Sequence, residues 1–231
     1  MAVTIRVLST LALKGAAQKL YGDFEAAGGV QIDADFAPTM ALLQRLRAGE
    51  TADVLILTRE GLDEVVREGR VAKDSCVDLA RSWVGIAVRA DAVHPDIATE
   101  PALRAALLAA RSVAYSRLGA SGILFAKLIE RLGIVDEINT RAAIIQQGFT
   151  AEKLVSGEAD LAVQQISELK QIAGIEVVGP IPYQLQTPAV FSAGRMATSS
   201  NAAEADRLLR YLASADVAPV LRDSGLEPVN P

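Results

Sequence analysis

Four times along this chain an apolar strand-like run ends in small hydroxyl or glycine residues, and a helical run follows at once. Residues 3–8 lead to Ser9 and Thr10, with a helix predicted over 11–26; residues 32–36 lead through Ala37 and Pro38 to Thr39, with a helix over 40–48. Residues 112–116, ending in Ser116, lead through Arg117, Leu118, Gly119 and Ala120 to Ser121 and Gly122, with a helix over 123–132. Residues 143–147, ending in Gln147, lead to Gly148, Phe149 and Thr150, with a short helix over 151–156. The first turn of a helix presents backbone N–H groups without intrahelical partners and about half a unit of positive charge, and so holds an anion well. Several such turns facing one cleft form a receptor for a small oxyanion or carboxylate. The same hydroxyls would equally serve as N-caps, worth about 1 kcal/mol each, in helices that bind nothing.

Arithmetic narrows the other chemistries. With one histidine and one cysteine, the chain has no intrachain disulfide, no cysteine-rich metal site and no pair of histidine ligands. His94 sits beside Pro95 in a predicted loop over 90–99 and is expected to be exposed and inert, which sets a Ser-His-Asp triad aside. No glycine-rich phosphate loop of either common spacing is present. A net charge of −5 argues against nucleic acid as a partner, because phosphate backbones need a basic surface. Gln164 and Gln165 end an apolar run; buried amides are costly without partners, so both are expected to face a polar cleft. Tyr115 is expected in the core with its hydroxyl on a local acceptor, Lys14 on an exposed helix face, and Asp53 as a structural hydrogen-bond partner at a strand start. No metal or cofactor is expected, and no residue is singled out as catalytic.

The elements that must position these residues alternate strand with helix for most of the 231 residues, which predicts an α/β architecture with a largely parallel sheet. Further strands are predicted over 52–57, 83–88, 160–164, 176–178 and 188–192, and further helices over 60–68, 100–109, 167–171, 202–213 and 216–223. Aromatic residues are only 4% of the chain, so the core must be built from Ala, Val, Ile and Leu. No uninterrupted apolar run reaches the length of a membrane span. Neither an internal repeat nor a low-complexity linker divides the chain, so two lobes must be joined by strands. The crossing segments are expected at 79–84 and 184–190, giving one lobe of residues 1–82 plus 188–231 and a second of 83–187. Met1-Ala2-Val3-Thr4 enters a strand at once without a leader-like stretch; this N-terminus implies a cytoplasmic protein if native and a periplasmic one if a signal peptide has been removed.

Taken together, Ser9-Thr10, the segment Phe36-Ala37-Pro38-Thr39, Ala48-Gly49-Glu50-Thr51-Ala52-Asp53-Val54, Ala120-Ser121-Gly122 and Gly157-Glu158-Ala159-Asp160-Leu161-Ala162-Val163 resemble the periplasmic molybdate-binding proteins. Those are type II solute-binding proteins of transport systems, and the resemblance spans essentially the whole chain. It implies a two-lobed type II periplasmic binding protein fold, an interlobe ligand cleft that closes by bending, a monomer, and a membrane permease as partner. It places the family's first binding serine near Ala12, its second at Thr39, its Ala-Gly site at Ser121-Gly122, a backbone contact at Gln147-Gly148 and its binding tyrosine at Gln165. The loss of that serine and that tyrosine departs from molybdate binders. It points toward a branch similar to aconitate isomerase, an enzyme on the same binding fold.

A carboxylate ligand would account for arginines near the cleft, Arg81 at the first crossing and Arg117 after Ser116, because a guanidinium pairs bidentately with a carboxylate. Both also read as ordinary solvated arginines. Two functions of different class follow. A binding protein captures a small anion and needs no proton-transfer residue; an isomerase of an unsaturated tricarboxylate needs a general base. A carboxylate, Lys14 or Tyr115 would have to supply that base.

Overall fold

The computed structural model describes residues 3–230; Met1, Ala2 and Pro231 lie outside them. The chain divides into two compact units, one running to Ser82 and resuming at Ala189, the other spanning Trp83–Pro188.

The first unit opens with β1 (Val3–Ser9), a 3-10 turn (Leu11–Leu13), α1 (Lys14–Gly28), β2 (Val30–Phe36), α2 (Thr39–Arg47), β3 (Val54–Thr58), α3 (Arg59–Arg67) and β4 (Val77–Ser82). The second holds β5 (Val84–Arg89), α4 (Glu100–Ala109), β6 (Val113–Ser116), α5 (Ala120–Arg131), α6 (Val135–Asn139), β7 (Ala143–Ile145), α7 (Glu152–Val155), β8 (Leu161–Gln165), α8 (Ile166–Leu169) and β9 (Ile175–Pro180). The chain then completes the first unit with β10 (Ala189–Arg195), α9 (Ala202–Leu212), α10 (Ala218–Asp223) and β11 (Glu227–Pro228).

The expectation of a largely parallel sheet is corrected. The sheets, ordered β11-β4-β10-β3-β1-β2 and β7-β6-β8-β5-β9, are both mixed. β2-β1-β3 and β7-β6-β8 are parallel, while β10 runs against β3 and β4, and β5 runs against β8 and β9. The physical reason is the double passage of the chain. A strand that leaves a unit and one that returns to it run in opposite directions, so their pairing is antiparallel, and only the β-α-β stretches are parallel.

Strict alternation of side chains puts a different core on each face of each sheet. In the first unit Ile5, Val7, Val54 and Ile56 pack with Leu20, Phe24 and Leu208 from α1 and α9. Leu8, Leu55 and Leu57 pack with Leu42, Leu46 and Leu62 from α2 and α3. In the second, Val113, Tyr115, Leu161 and Val163 meet Leu107, Phe125 and Leu128 from α4 and α5, and the small residues Ala87, Ala114 and Ala162 meet Ala151, Leu154 and Leu169 from α7 and α8. Aliphatic residues dominate all four, as the low aromatic content requires. No helix among the described residues is long and apolar enough to cross a membrane.

Several boundaries differ from expectation. The first α-helix begins at Lys14 rather than Leu11, because Leu13 N donates to Thr10 O in a 3-10 turn. β4 and α6 occupy segments read as a crossing and as a connection. Residues 216–217 belong to a 3-10 turn, and the last helix carries Pro219 in its first turn, where the missing N–H would have no intrahelical partner anyway.

Candidate functional site

Parallel strands joined by right-handed crossovers end on one edge of their sheet, and the segments leaving them gather there; open α/β sheets bind ligands at such edges. In the first unit β2, β1 and β3 end together. Ala37 N donates to Ser9 O at 3.1 Å and Thr10 N to Ile56 O at 2.8 Å, so the three strand ends stay in register. In the second unit β7, β6 and β8 do the same, with Ser116 opposite Ile145 and Ala114 opposite Ala162. Thus Ser9, Thr10 and Thr39 share one edge, and Ser116, Arg117, Ser121, Gly122, Gln147, Gly148 and Gln165 share the other.

The hydroxyls at the helix starts are not spent as caps. α2 is capped by Pro38 and α5 by Gly119, neither with a side-chain hydrogen bond. Thr10, at the cap position of the 3-10 turn, also makes none. Thr58 and Thr99 do act as caps, accepting from Gly61 N and Ala102 N. Thr39 and Ser121, expected just before their helices, lie inside the first turns. Thr39 Oγ1 accepts from Thr58 N at 3.2 Å and its methyl lies over Gly61, where a Cβ would come within 2.6 Å of it. Ser116 Oγ accepts from Gly119 N at 3.2 Å. Gly122 is inside α5 because a Cβ there would lie 1.6 Å from Ser116 O; the helix start is pressed directly onto the strand end.

Ser9 and Ala12 are fully buried in the first unit. Ser9 Oγ donates to Thr10 O at 3.1 Å and also meets Tyr21, whose hydroxyl is pushed far above its usual range by burial. The Ala12 methyl packs in the core, so any polar contact it makes is through its backbone. Arg81 lies exposed in β4, opposite Val190 and Glu227. Arg117 is exposed at the second unit's edge and forms no ion pair or hydrogen bond among the described residues. Gln147 is exposed, and Gly148 adopts φ +87°, a conformation that favours glycine.

The two glutamines separate. Gln164 shares the α7–α8 face with Ala162, and its amide is fully used: Oε1 accepts from Thr150 N at 2.8 Å and Thr150 Oγ1 at 3.0 Å, and Nε2 donates to Gly148 O at 3.0 Å. The expectation that it faces a polar cleft is corrected, since neighbouring backbone completes it. Gln165 falls with Leu161 and Val163 on the α5 face and is 2% exposed, yet its Oε1 has no partner. A buried acceptor without a donor costs about 1–3 kcal/mol, and such a group is retained where something else completes it.

Tyr115 is buried and donates to Asn139, Asp53 accepts from Arg6 N, Ser199 and Asn201, and Lys14 is exposed, all as the sequence implies. His94 is exposed but not idle: Nε2 lies 2.7 Å from Glu176 Oε2. The two segments most specific to the resemblance hold the scaffold. Gly49 and Gly157 take positive φ after α2 and α7, Glu50 and Glu158 pair with Arg45 and Lys153, and Asp53 and Asp160 accept the backbone N–H of Arg6 and Arg111. This short device occurs once in each unit, so a repeat was present that inspection for longer periods misses.

Sequence reasoning also missed Glu168. It stands at the third position of α8 and reaches back to the N–H of Gln165, the helix cap; burial pushes its pKa up to about 8, against hydrogen bonds from Gln164 and Gln165 N that lower it. The three-residue spacing from Gln165 is the signal that finds it.

An α/β chain of two units, each offering uncapped helix starts at one sheet edge, has the fold of the periplasmic binding proteins. It superposes on the periplasmic molybdate-binding protein of Azotobacter vinelandii with a TM-score of 0.81, at 16% identity over 98% of this chain and 99% of that one. For the sulfate-binding protein of Mycobacterium tuberculosis the TM-score is 0.78, at 16% identity over 99% and 88%. Residues 5–227 match the family described as bacterial extracellular solute-binding protein, and the chain belongs to that family. It is also 38% identical, over 98% of its length and 88% of the relative's, to an aconitate isomerase from a Pseudomonas species.

Proposed function

We propose that this protein binds a small carboxylate anion through the helix starts at its sheet edges. The observation that carries the proposal is the pair of helix starts, α2 and α5, whose first turns lack side-chain caps, with Arg117 unpaired beside the second. Uncapped N–H groups attract any oxyanion. The guanidinium favours a planar carboxylate, which it grips bidentately. The 38% relative, matched over 98% of this chain, supports the same preference over tetrahedral oxyanions, whose binders share only the fold at 16%. As a solute-binding component outside the cytoplasm, the protein hands its anion to a membrane permease.

A thermal-shift screen against citrate, both aconitates, molybdate, tungstate and sulfate tests this. A carboxylate at a hundred times its Kd stabilises the folded protein by about 2.7 kcal/mol, a clear rise in Tm. Stabilisation by molybdate or sulfate alone would overturn the carboxylate assignment.

A second reading, isomerisation of an unsaturated tricarboxylate, is favoured by the aconitate isomerase relative. It moves a proton from one substrate carbon to another while the double bond shifts, and therefore needs a group that accepts and returns that proton. Adding the protein to cis- or trans-aconitate and following the ultraviolet absorbance distinguishes the two: a steady spectrum with tight binding leaves the receptor reading alone.

A further inference from the structure

Glu168 makes none of the proposed anion contacts, yet it is 7% exposed and built into a chain of buried polar groups at the second unit's edge. Its carboxyl takes a hydrogen bond from the side-chain amide of Gln164 and another from Gln165 N. The Gln164 amide in turn receives both donors of Thr150 and donates to Gly148 O. Thr150 is 0% exposed and Gln164 2%, so no solvent competes for these bonds. Every polar atom of the Gln164 side chain is thereby committed, and a change at Glu168 must be answered at the loop 148–150. That loop turns at Gly148, φ +87°, which glycine adopts without strain, so the Gln164 amide holds the loop's position rather than its dihedral.

We propose that Glu168 is a positioning residue: acting through Gln164, it fixes the Gly148–Thr150 loop and with it the backbone groups that the loop presents to the anion. The proposal rests on the carboxylate-binding reading above. Because burial holds the Glu168 proton up to about pH 8, the positioning is pH-dependent. Below that pH the buried acid is neutral. Above it, a negative charge appears behind the loop, pulls on the Gln164 amide and opposes an incoming anion. α8 packs against β8, β5 and β9. The charged residues on and around these elements and the loop are Arg89, paired with Asp91, Glu176, paired with His94, Lys153, paired with Glu158, Asp160, paired with Arg111 just before β8, Glu152, whose carboxylate lies 4.0 Å from where a Cβ on Gly148 would stand, and Lys170 directly after α8.

The test follows the backbone amide resonances of Gly148, Phe149 and Thr150 from pH 6 to 9.5 in the wild type, Glu168→Gln, Gln164→Leu and, as a control for the exposed pair, His94→Gln. The expected result is a titration with a midpoint near 8 in the wild type and His94→Gln, absent from Glu168→Gln and Gln164→Leu. Loop amides that ignore pH in the wild type, or that titrate unchanged in Glu168→Gln, overturn the proposal. Should Gln164→Leu not fold, Glu168→Gln decides alone. In parallel, citrate and cis-aconitate affinities are measured at pH 6.5 and 9.5. We expect at least a tenfold loss in the wild type and a flat response in Glu168→Gln; equal pH profiles would show that the loop does not serve the anion. If neither probe binds at any pH, the carboxylate reading fails, while the amide titration still tells whether Glu168 governs the loop.

Discussion

Thr58 N donates to Thr39 Oγ1 at 3.2 Å, so the hydroxyl at the start of α2 ties that helix to the end of β3 instead of capping its own first turn. Replacing Thr39 with Val keeps the methyl over Gly61 but leaves the Thr58 N–H without its acceptor. We expect a loss of about 1–2 kcal/mol in urea unfolding. Thr39→Ser keeps the hydroxyl and deletes only the buried methyl over Gly61, so it should lose about 1 kcal/mol and retain anion affinity. If Thr39→Val binds the anion as tightly as Thr39→Ser, the hydroxyl is only a structural tie.

Gly122 is the equivalent fixed point of the second unit. With a Cβ 1.6 Å from Ser116 O, Gly122→Ala must push α5 off the end of β6. The expected cost is about 3 kcal/mol or more, because overpacking backbone against backbone leaves no side chain free to move. Gly22, whose added Cβ would meet nothing within 4 Å, is the control: Gly22→Ala inside α1 should stabilise by about 0.5–1 kcal/mol.

These two positions show what the sequence made legible. The strand-then-helix rhythm survives in the structure because apolar periodicity dictates it, and the edges that carry Thr39 and Ser121 follow from that rhythm. The sheet's mixed direction was not legible, because nothing in the residues of β10 states which way its neighbours run; that depends on the chain's double passage. The division of labour between Gln164 and Gln165 was hidden too. Adjacent strand residues point to opposite faces, and only the packing tells which face holds Thr150 and which the α5 start. Glu168 escaped notice because a lone glutamate normally signals surface, and its burial is a tertiary fact.

Gln165 separates stability from binding. Its unpartnered buried Oε1 costs the ligand-free protein energy, so Gln165→Met, similar in size and without that acceptor, should raise stability by about 1 kcal/mol or more. On the proposed binding mode the anion completes that amide, so the same variant should weaken the complex. Chemical denaturation and calorimetric titration together check this: both quantities moving in the same direction would place the amide outside the binding site.

Arg117 tests the class of anion. Arg117→Ala removes an exposed, unpaired side chain, so unfolding should change by no more than about 0.5 kcal/mol. Affinity for a carboxylate probe should fall by tenfold or more, with little change for sulfate. Arg117→Lys should restore only part of the loss, because a point charge lacks the planar fork. Equal losses for both probes would argue for general charge attraction.

Stability should respond to pH in two opposed ways. Asp35 and Glu50 have their pKa values lowered, first by hydrogen bonds from Arg45, so the stability they contribute is present at neutral pH and is lost as the pH falls through their folded values. Both carboxylates are partly exposed, so that loss is shared with solvent screening and is small. Glu168 has the reverse sign. Its folded pKa stands near 8 against 4.5 unperturbed, so the native state holds a proton that the unfolded chain releases. Its contribution is intact below about pH 4.5 and is lost as the pH climbs toward 8, by at most about 4–5 kcal/mol at 1.36 kcal/mol per unit. The wild type should therefore be most stable in mildly acid solution and lose Tm from pH 5 to 8.5. Glu168→Gln should flatten that decline while leaving the acid limb, to which Asp35 and Glu50 contribute, unchanged. Melting curves at half-unit pH steps decide the matter: an identical alkaline decline in both proteins would mean that Glu168 is already ionised in the fold.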